Sequence, residues 1–433
     1  MDNQEIKAPK KDSGYKWIIF LASFLMVFIC LGFCSSTKSL FISPVTEYLG
    51  IDRSVYSIND SLRFISVAVV SIFFGPLITK FGMRKLIAAG FLSLTASMLC
   101  YALAEHALIL YLGGIFLGIG LSLTTTTMVG YVVTTWTEKN KGVFMSLVLA
   151  GSSFGGSFAV QILHPIIEIN AGIPGYKLAY FAIAVILLAY GAAAVTLHRD
   201  KNELDVLNDA TYPRNNRLTQ QNFITAKSHK VVNKCFFWVA LACAFFTGFA
   251  LQAVSGVAAV QMYDVGFSSS FVVDLFNHSA MAAIVMNFII GFIYDRTSLR
   301  TAANVCSTCA ILAAISLMSI TYTYQGFRLS EAYIIFIYAA LPLENLMIPL
   351  FAYDLFGKET FKNAIGPLMA ATTLGLALAS PCMNLCYDLL GTYRPGFVVS
   401  IVAMIGVTIM LQFVISSAYK TKERNIFIKN QIY

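Results

Sequence analysis

Twelve stretches of this chain stay apolar for about 20 residues or more, the length a helix needs to cross the hydrocarbon core of a bilayer. They run over Trp17–Phe41, Val55–Ile78, Lys85–Ala104, Ala107–Val133, Val143–Ile167 and Leu178–Leu197. The second six are Phe236–Val260, Phe271–Tyr294, Ala302–Tyr322, Ala332–Phe356, Ala364–Leu390 and Gly396–Ala418. Charged residues make up only 12% of the chain, about half the share of a soluble domain. Within lipid the backbone must satisfy its own hydrogen bonds, so a spanning chain is helical or a closed barrel. No alternation of period two is present, which argues against a barrel. The expectation is an all-α membrane protein. The first stretch is too long for a signal-peptide core and no small-x-small site follows it, so it reads as a retained span.

The net charge of +8 is placed unevenly. With the N-terminus in the cytoplasm, 24 of the 30 Lys and Arg residues fall in inner segments, 4 in outer loops and 2 inside spans. The positive-inside rule then puts both termini in the cytoplasm. The basic excess is a topology signal and implies no nucleic-acid partner. All nine cysteines lie within or at the ends of spans, so no disulfide framework is implied. Cys306 and Cys309 form a CxxC on an apolar helix without a clustered partner, and they read as packing residues.

The organisation reads as a cytoplasmic tail (1–16), a six-helix half (17–197), a polar cytoplasmic linker (198–234), a second six-helix half (235–418) and a tail (419–433). One motif occurs in both halves. Gly75, Thr79, Lys80 and Arg84 are repeated as Gly291, Asp295, Arg296 and Arg300, 216 residues later with the same offsets. A basic turn repeated between apolar spans is the mark of a duplicated transporter. Glycine pairs four apart, Gly114/Gly118 and Gly151/Gly155, mark faces where backbones approach closely in lipid. Pro342 and Pro349 interrupt span ten, which makes it a candidate for lining a pathway.

The repeated turn resembles the signature loop of the major facilitator superfamily, found between spans two and three and again between eight and nine. That resemblance implies two pseudo-symmetric six-helix halves that rock about a central site. The pattern usually has Asp at the fifth position; Asp295 keeps it and Thr79 departs from it. The segment Tyr131–Gly156 resembles the monocarboxylate and oxalate–formate branch, as do Gly175–Tyr180 and Thr37-Lys38-Ser39. That branch often carries an Arg four residues before the second turn's Gly, with an acid four residues earlier. Here those positions are Asn287 and Ala283, and span eleven has no Lys beyond Lys362 at its start.

Charges inside spans are costly, by roughly 2.5–3.5 kcal/mol on insertion scales, and mark function. Lys38 and Arg63 fall at similar distances from the outer ends of spans one and two, so two cations share a depth. A carboxylate substrate would suit them. Asp60, three residues before Arg63, could instead neutralise it, whereas Lys38 has no acid close in sequence. Tyr131, Gln161, Gln252, Asn287 and Tyr338 are candidates for the walls of the site. Glu344, Asp60, His278 and Asp274 are candidates for carrying a coupling proton. Gly75, Lys80, Arg84, Gly291, Asp295, Arg296 and Arg300 are candidates for the inner gate.

These features predict a secondary transporter of a small, monocarboxylate-like organic anion in the plasma membrane. A proton, a counter-anion or the substrate gradient alone could drive it. The alternatives are a carrier of neutral, zwitterionic or amphiphilic molecules, with Lys38 paired to Glu344, and a transporter-like sensor. No nucleophile–base set, phosphate loop or metal cluster is visible, so no enzyme, cofactor or metal is expected.

Overall fold

The computed structural model describes residues 13–137, 139–169, 174–198 and 234–431. The expected linker lies outside the described residues except at His198 and Lys234. Eleven helices are long and apolar enough to cross a membrane. The helix Arg53–Ile72, which carries Asp60 and Arg63 in its middle, adds the twelfth crossing.

Span one is Ser13–Val27 and Lys38–Leu49 joined by nine residues of wide π-type winding, Phe28–Ser36, so it runs past its expected end at Phe41. Span two continues through a break at Phe73 into the helix Phe74–Ala102, which bends at Gly82. Gly82 has φ 75° and ψ 168°, a conformation only glycine adopts without strain, and that bend separates span two from span three. The matching position of the second turn is Ser298, which caps span nine (Leu299–Met318) by accepting from the Thr301 N–H. The same turn is thus made in two ways. Span four is Ala107–Thr124 and Thr126–Trp136, span five Lys141–Ile167, and span six Gly175–Leu197.

In the second half, span seven is Lys234–Ser255 and Ala258–Val265, and span eight is Ser269–Arg296. Span ten is Tyr324–Ala340, a short turn Pro342–Asn345, and a helix from Met347 that bends at Gly357 (φ 75°) into span eleven, ending at Leu390. Both expected prolines thus sit at or just after its interruptions. Span twelve, Arg394–Gln431, runs beyond Ala418.

The halves meet through span two against span eleven and span five against span eight. One continuous apolar core fills the first half and the part of the second half nearest the two basic turns. A separate core holds the other end of the second half, from Ala253 to Phe397. The halves are therefore fused on the side of the turns and separate on the far side.

Candidate functional site

Close backbone contacts set the rotation of spans one and two. A Cβ on Gly114 would strike Asn59, and one on Gly118 would strike the Arg63 carbonyl. On span five, a Cβ on Gly151 would lie 2.6 Å from the Phe24 carbonyl oxygen, and one on Gly155 would overlap that of Phe28. Both glycine pairs expected from sequence thus hold a cleft-lining helix at backbone distance.

With spans one and two so held, Lys38 and Arg63 meet at one level around a single acid. Lys38 Nζ makes an ion pair with Asp60 Oδ2, and Arg63 Nε lies 3.0 Å from Asp60 Oδ1. Arg63 Nη1 donates to Ser35 Oγ at 2.8 Å, and its guanidinium rests 4.4 Å from the Phe64 ring. Lys38 and Asp60 keep just over a quarter of their side-chain surface in contact with solvent, at 28% and 27%. Lys38 has no acid close in sequence, as expected, but Asp60, 22 residues away, is adjacent to it across the helix pair. The alternative pairing of Lys38 with Glu344 is not formed.

The triad opens into a pocket within the first half, walled by Phe33, Phe41, Tyr56, Met98, Tyr101 and Tyr180. Asn59 Nδ2 donates to the Tyr101 hydroxyl at 3.0 Å, and Tyr180 stacks on Phe41 at 4.1 Å. This aromatic wall was not singled out from sequence, because tyrosines in apolar spans look like packing. The period of four joining Tyr56 to Asp60, and of three joining Asp60 to Arg63, was the available signal.

The expected wall residues do not line this pocket. Tyr131 is buried in the closed seam instead, against Phe74 (6.3 Å between ring centres) and under Lys362 Nζ (5.7 Å). Gln161 is exposed, and Gln252, Asn287 and Tyr338 are half-buried on other spans. Asp274 is exposed near the far end of span eight; the side chain of His278 falls outside the described residues. Glu344 sits in the Pro342–Asn345 turn with Oε2 shielded from water and without a hydrogen-bond partner.

The seam on the turn side is built from the repeated motif and its partners. Asp295 accepts from the N–H groups of Gly142 (3.0 Å, at Oδ1) and Val143 (2.8 Å, at Oδ2), the first turn of span five. A carboxylate at a helix N-terminus satisfies open donors and the helix dipole together. Gly291 packs on Gly142 so closely that its Cβ would lie 2.6 Å from the Gly142 carbonyl oxygen. In the first copy, Thr79 donates only within its own helix, to the Gly75 carbonyl at 2.9 Å, while Gly75 lies against Lys362 and Asn363. Lys80 lies 5.3 Å over the Phe81 ring, Arg296 lies 5.2 Å over Phe292, and Arg300 donates to Ser416 at 2.7 Å. Arg84 is half-buried at the start of span three.

A family model described as the Major Facilitator Superfamily matches residues 23–352. The chain belongs to that superfamily. Its many apolar helices are those of a multi-pass membrane protein. YcxA, an uncharacterized MFS-type transporter of Bacillus subtilis, is 25% identical over 175 residues, 40% of this chain and 42% of that protein. Monocarboxylate transporter 9 of Rattus norvegicus is 26% identical over 186 residues, 42% of this chain and 35% of the relative. Multidrug resistance protein 2 of Bacillus subtilis is 24% identical over 308 residues, 69% of this chain and 72% of that protein. The chain thus spans about half the length, or less, of the first curated relatives it matches. The proton:xylose symporter XylE, solved with 6-bromo-6-deoxy-D-glucose, superposes with a TM-score of 0.73 at 13% identity over 93% of this chain and 96% of its own. FucP in its outward conformation gives 0.66 at 14% identity over 92% and 99%. At such identities these structures speak for the fold alone.

Proposed function

We propose that this transporter carries a small organic anion, with Lys38 and Arg63 holding its carboxylate and the pocket of Phe33, Phe41, Tyr56, Tyr101 and Tyr180 holding its body. The observation that carries this reading is the charge of the triad: two cations share one acid, which leaves one positive charge facing a pocket inside the bilayer. An unmatched charge there is expensive, and a monoanion removes the cost. With the termini in the cytoplasm of a plasma-membrane protein, the described state faces outward. The Asp295 seam then forms the closed inner gate, and rocking of the halves would expose the pocket to the other side.

A second reading rests on Asp60 itself. With both signs of charge in one pocket, the triad could also receive a zwitterion, its ammonium group drawn to Asp60. Proteoliposomes separate the two. Uptake of radiolabelled lactate, oxalate, succinate and alanine is measured for the wild type and for Lys38→Ala/Arg63→Ala. The anion reading expects saturable lactate or oxalate uptake that the double variant loses. Anion uptake that survives in the double variant overturns it, and uptake of alanine alone favours the zwitterion.

A further inference from the structure

Outside the triad itself, the polar groups that line its pocket already have partners within the protein. Asn59 Nδ2 donates to the Tyr101 hydroxyl at 3.0 Å, and Thr37 donates to the Phe33 carbonyl at 2.6 Å. The Cys34 thiol lies 4.0 Å from the Ile29 carbonyl, and the hydroxyls of Tyr56 and Tyr180 bond to each other. Spare capacity stays with the triad: Lys38 and Arg63 carry more N–H donors than their bonds to Asp60 and Ser35 use. A carboxylate therefore finds donors here. A hydroxyl or amide on the body of the substrate would have to break one of the existing pairs, and a buried polar group left without its partner is costly. An apolar body breaks none.

The shape of the wall narrows the body further. Tyr180 is held from three sides: stacked on Phe41 (4.1 Å, 19° between planes), tilted against Tyr101 (5.2 Å) and edge-on to Tyr176 (6.3 Å). Tyr176 and Tyr180 are one turn apart on span six, so one helix face supplies both rings. A wall fixed in this way is in place before a substrate arrives, which lowers the ordering cost of binding. The gap it leaves is narrow, and a flat ring displaces the walls less than a globular apolar group does. A ring also gains edge and face contacts with the wall beyond its buried area. The charges and the rings lie side by side on their helices: Phe41 is one turn from Lys38, and Tyr56 is one turn from Asp60. One turn is about 5.4 Å, a spacing that an acid group joined to a ring by a short arm can bridge.

From this we infer that the preferred cargo is an aromatic monocarboxylate, an aryl ring on a short acid arm, and that Phe41 and Tyr180 set this preference. It rests on the anion reading above and narrows it to one class. The carboxylate takes the free donors of Lys38 and Arg63, and the ring enters beside the Phe41–Tyr180 stack and the Tyr101 ring. Small hydroxy acids still satisfy the cations, but they leave the aromatic wall unfilled and bind more weakly.

The test is equilibrium binding to full-length protein in lipid nanodiscs, with radiolabelled phenylacetate and radiolabelled lactate as probes and cyclohexylacetate as a competitor. Nanodiscs holding Lys38→Ala/Arg63→Ala measure partition into lipid, which is subtracted. Phenylacetate should bind about 10- to 100-fold more tightly than lactate, the gain from burying a phenyl ring. It should also bind about 2- to 10-fold more tightly than cyclohexylacetate, which fills the space without aromatic contacts. Phe41→Leu and Tyr180→Leu should each shrink the ratio of phenylacetate to lactate affinity by about 2- to 10-fold. Saturable lactate binding shows that a variant has kept its pocket, and if one variant loses it the other decides. Lactate binding as tightly as phenylacetate, cyclohexylacetate matching phenylacetate, or an undiminished ratio in the folded variants each overturns the inference. If neither acid binds the wild type beyond the double variant, the anion reading itself falls.

Discussion

Replacing Asp295 with Asn keeps the shape of the seam but removes its charge. In the structure both carboxylate oxygens accept backbone N–H groups of span five, at 3.0 and 2.8 Å, across the boundary between halves. An amide offers one acceptor oxygen, so one of the two bonds is lost and the other ceases to be charge-assisted. A hydrogen bond to a charged group contributes about 1.5–3 kcal/mol net, against about 1 kcal/mol for a neutral one. The favourable term with the helix dipole, about 0.3–1 kcal/mol, is lost as well. Allowing for partial rehydration, the closed seam should weaken by about 1–2 kcal/mol, a factor of about 5 to 30 in the ratio of open to closed. The assay is alkylation of a cysteine placed at Ser146, which is buried in the seam against Gly291. Its rate in Asp295→Asn should rise by about that factor over the same cysteine in the wild-type background. Thr79→Ala, at the equivalent position of the first copy, should leave it unchanged, because Thr79 bonds only within its own helix. Equal alkylation rates with and without the Asp295 charge would refute the reasoning that this carboxylate locks the halves.

Gly155→Ala should destabilise the fold by about 1–3 kcal/mol, because its Cβ would overlap the Phe28 backbone, while Gly406→Ala, with open space around it, should be neutral or slightly stabilising; thermal melting in detergent checks both. His198 lies just past span six, buried, with Nδ1 2.9 Å from the Ala194 carbonyl and Nε2 3.2 Å from Ser23 Oγ. Burial lowers its pKa from the ordinary 6.5, opposed by the bond to Ala194. Below pH about 6.5 the unfolded chain therefore binds more protons than the folded one, and stability present above that pH is lost as pH falls toward the folded value. His198→Gln should flatten this acid-side slope in melts run from about pH 5 to about pH 8, and an unchanged slope would assign it to other groups.

The membrane architecture was legible because its cause is local. Apolar length, glycine spacing and the repeated turn each act within one or two helices, and each reappears as a span, a close helix contact or half of the seam. The depth of Lys38 and Arg63 was legible for the same reason, since rise per residue fixes it. What sequence did not supply was the rotation of one helix against another. Asp60 reaches Lys38 because Gly114, Gly118 and Gly155 let spans one and two sit close to their neighbours, and no spacing rule within one helix encodes that contact. The same limit hid the tyrosine wall and put Tyr131 in the seam instead of the pocket. Proline positions showed that span ten is broken, but not that Glu344 Oε2 would lie buried there with no hydrogen-bond partner among the described residues.

Equilibrium binding of a radiolabelled small carboxylate to the purified protein, wild type against Lys38→Gln, probes the triad most directly. Losing one charge-assisted contact of about 1.5–3 kcal/mol should weaken saturable binding by about tenfold to 100-fold, and Arg63→Gln should act in the same direction. Carboxylate binding of equal affinity in all three proteins would contradict the assignment of the anion to Lys38 and Arg63.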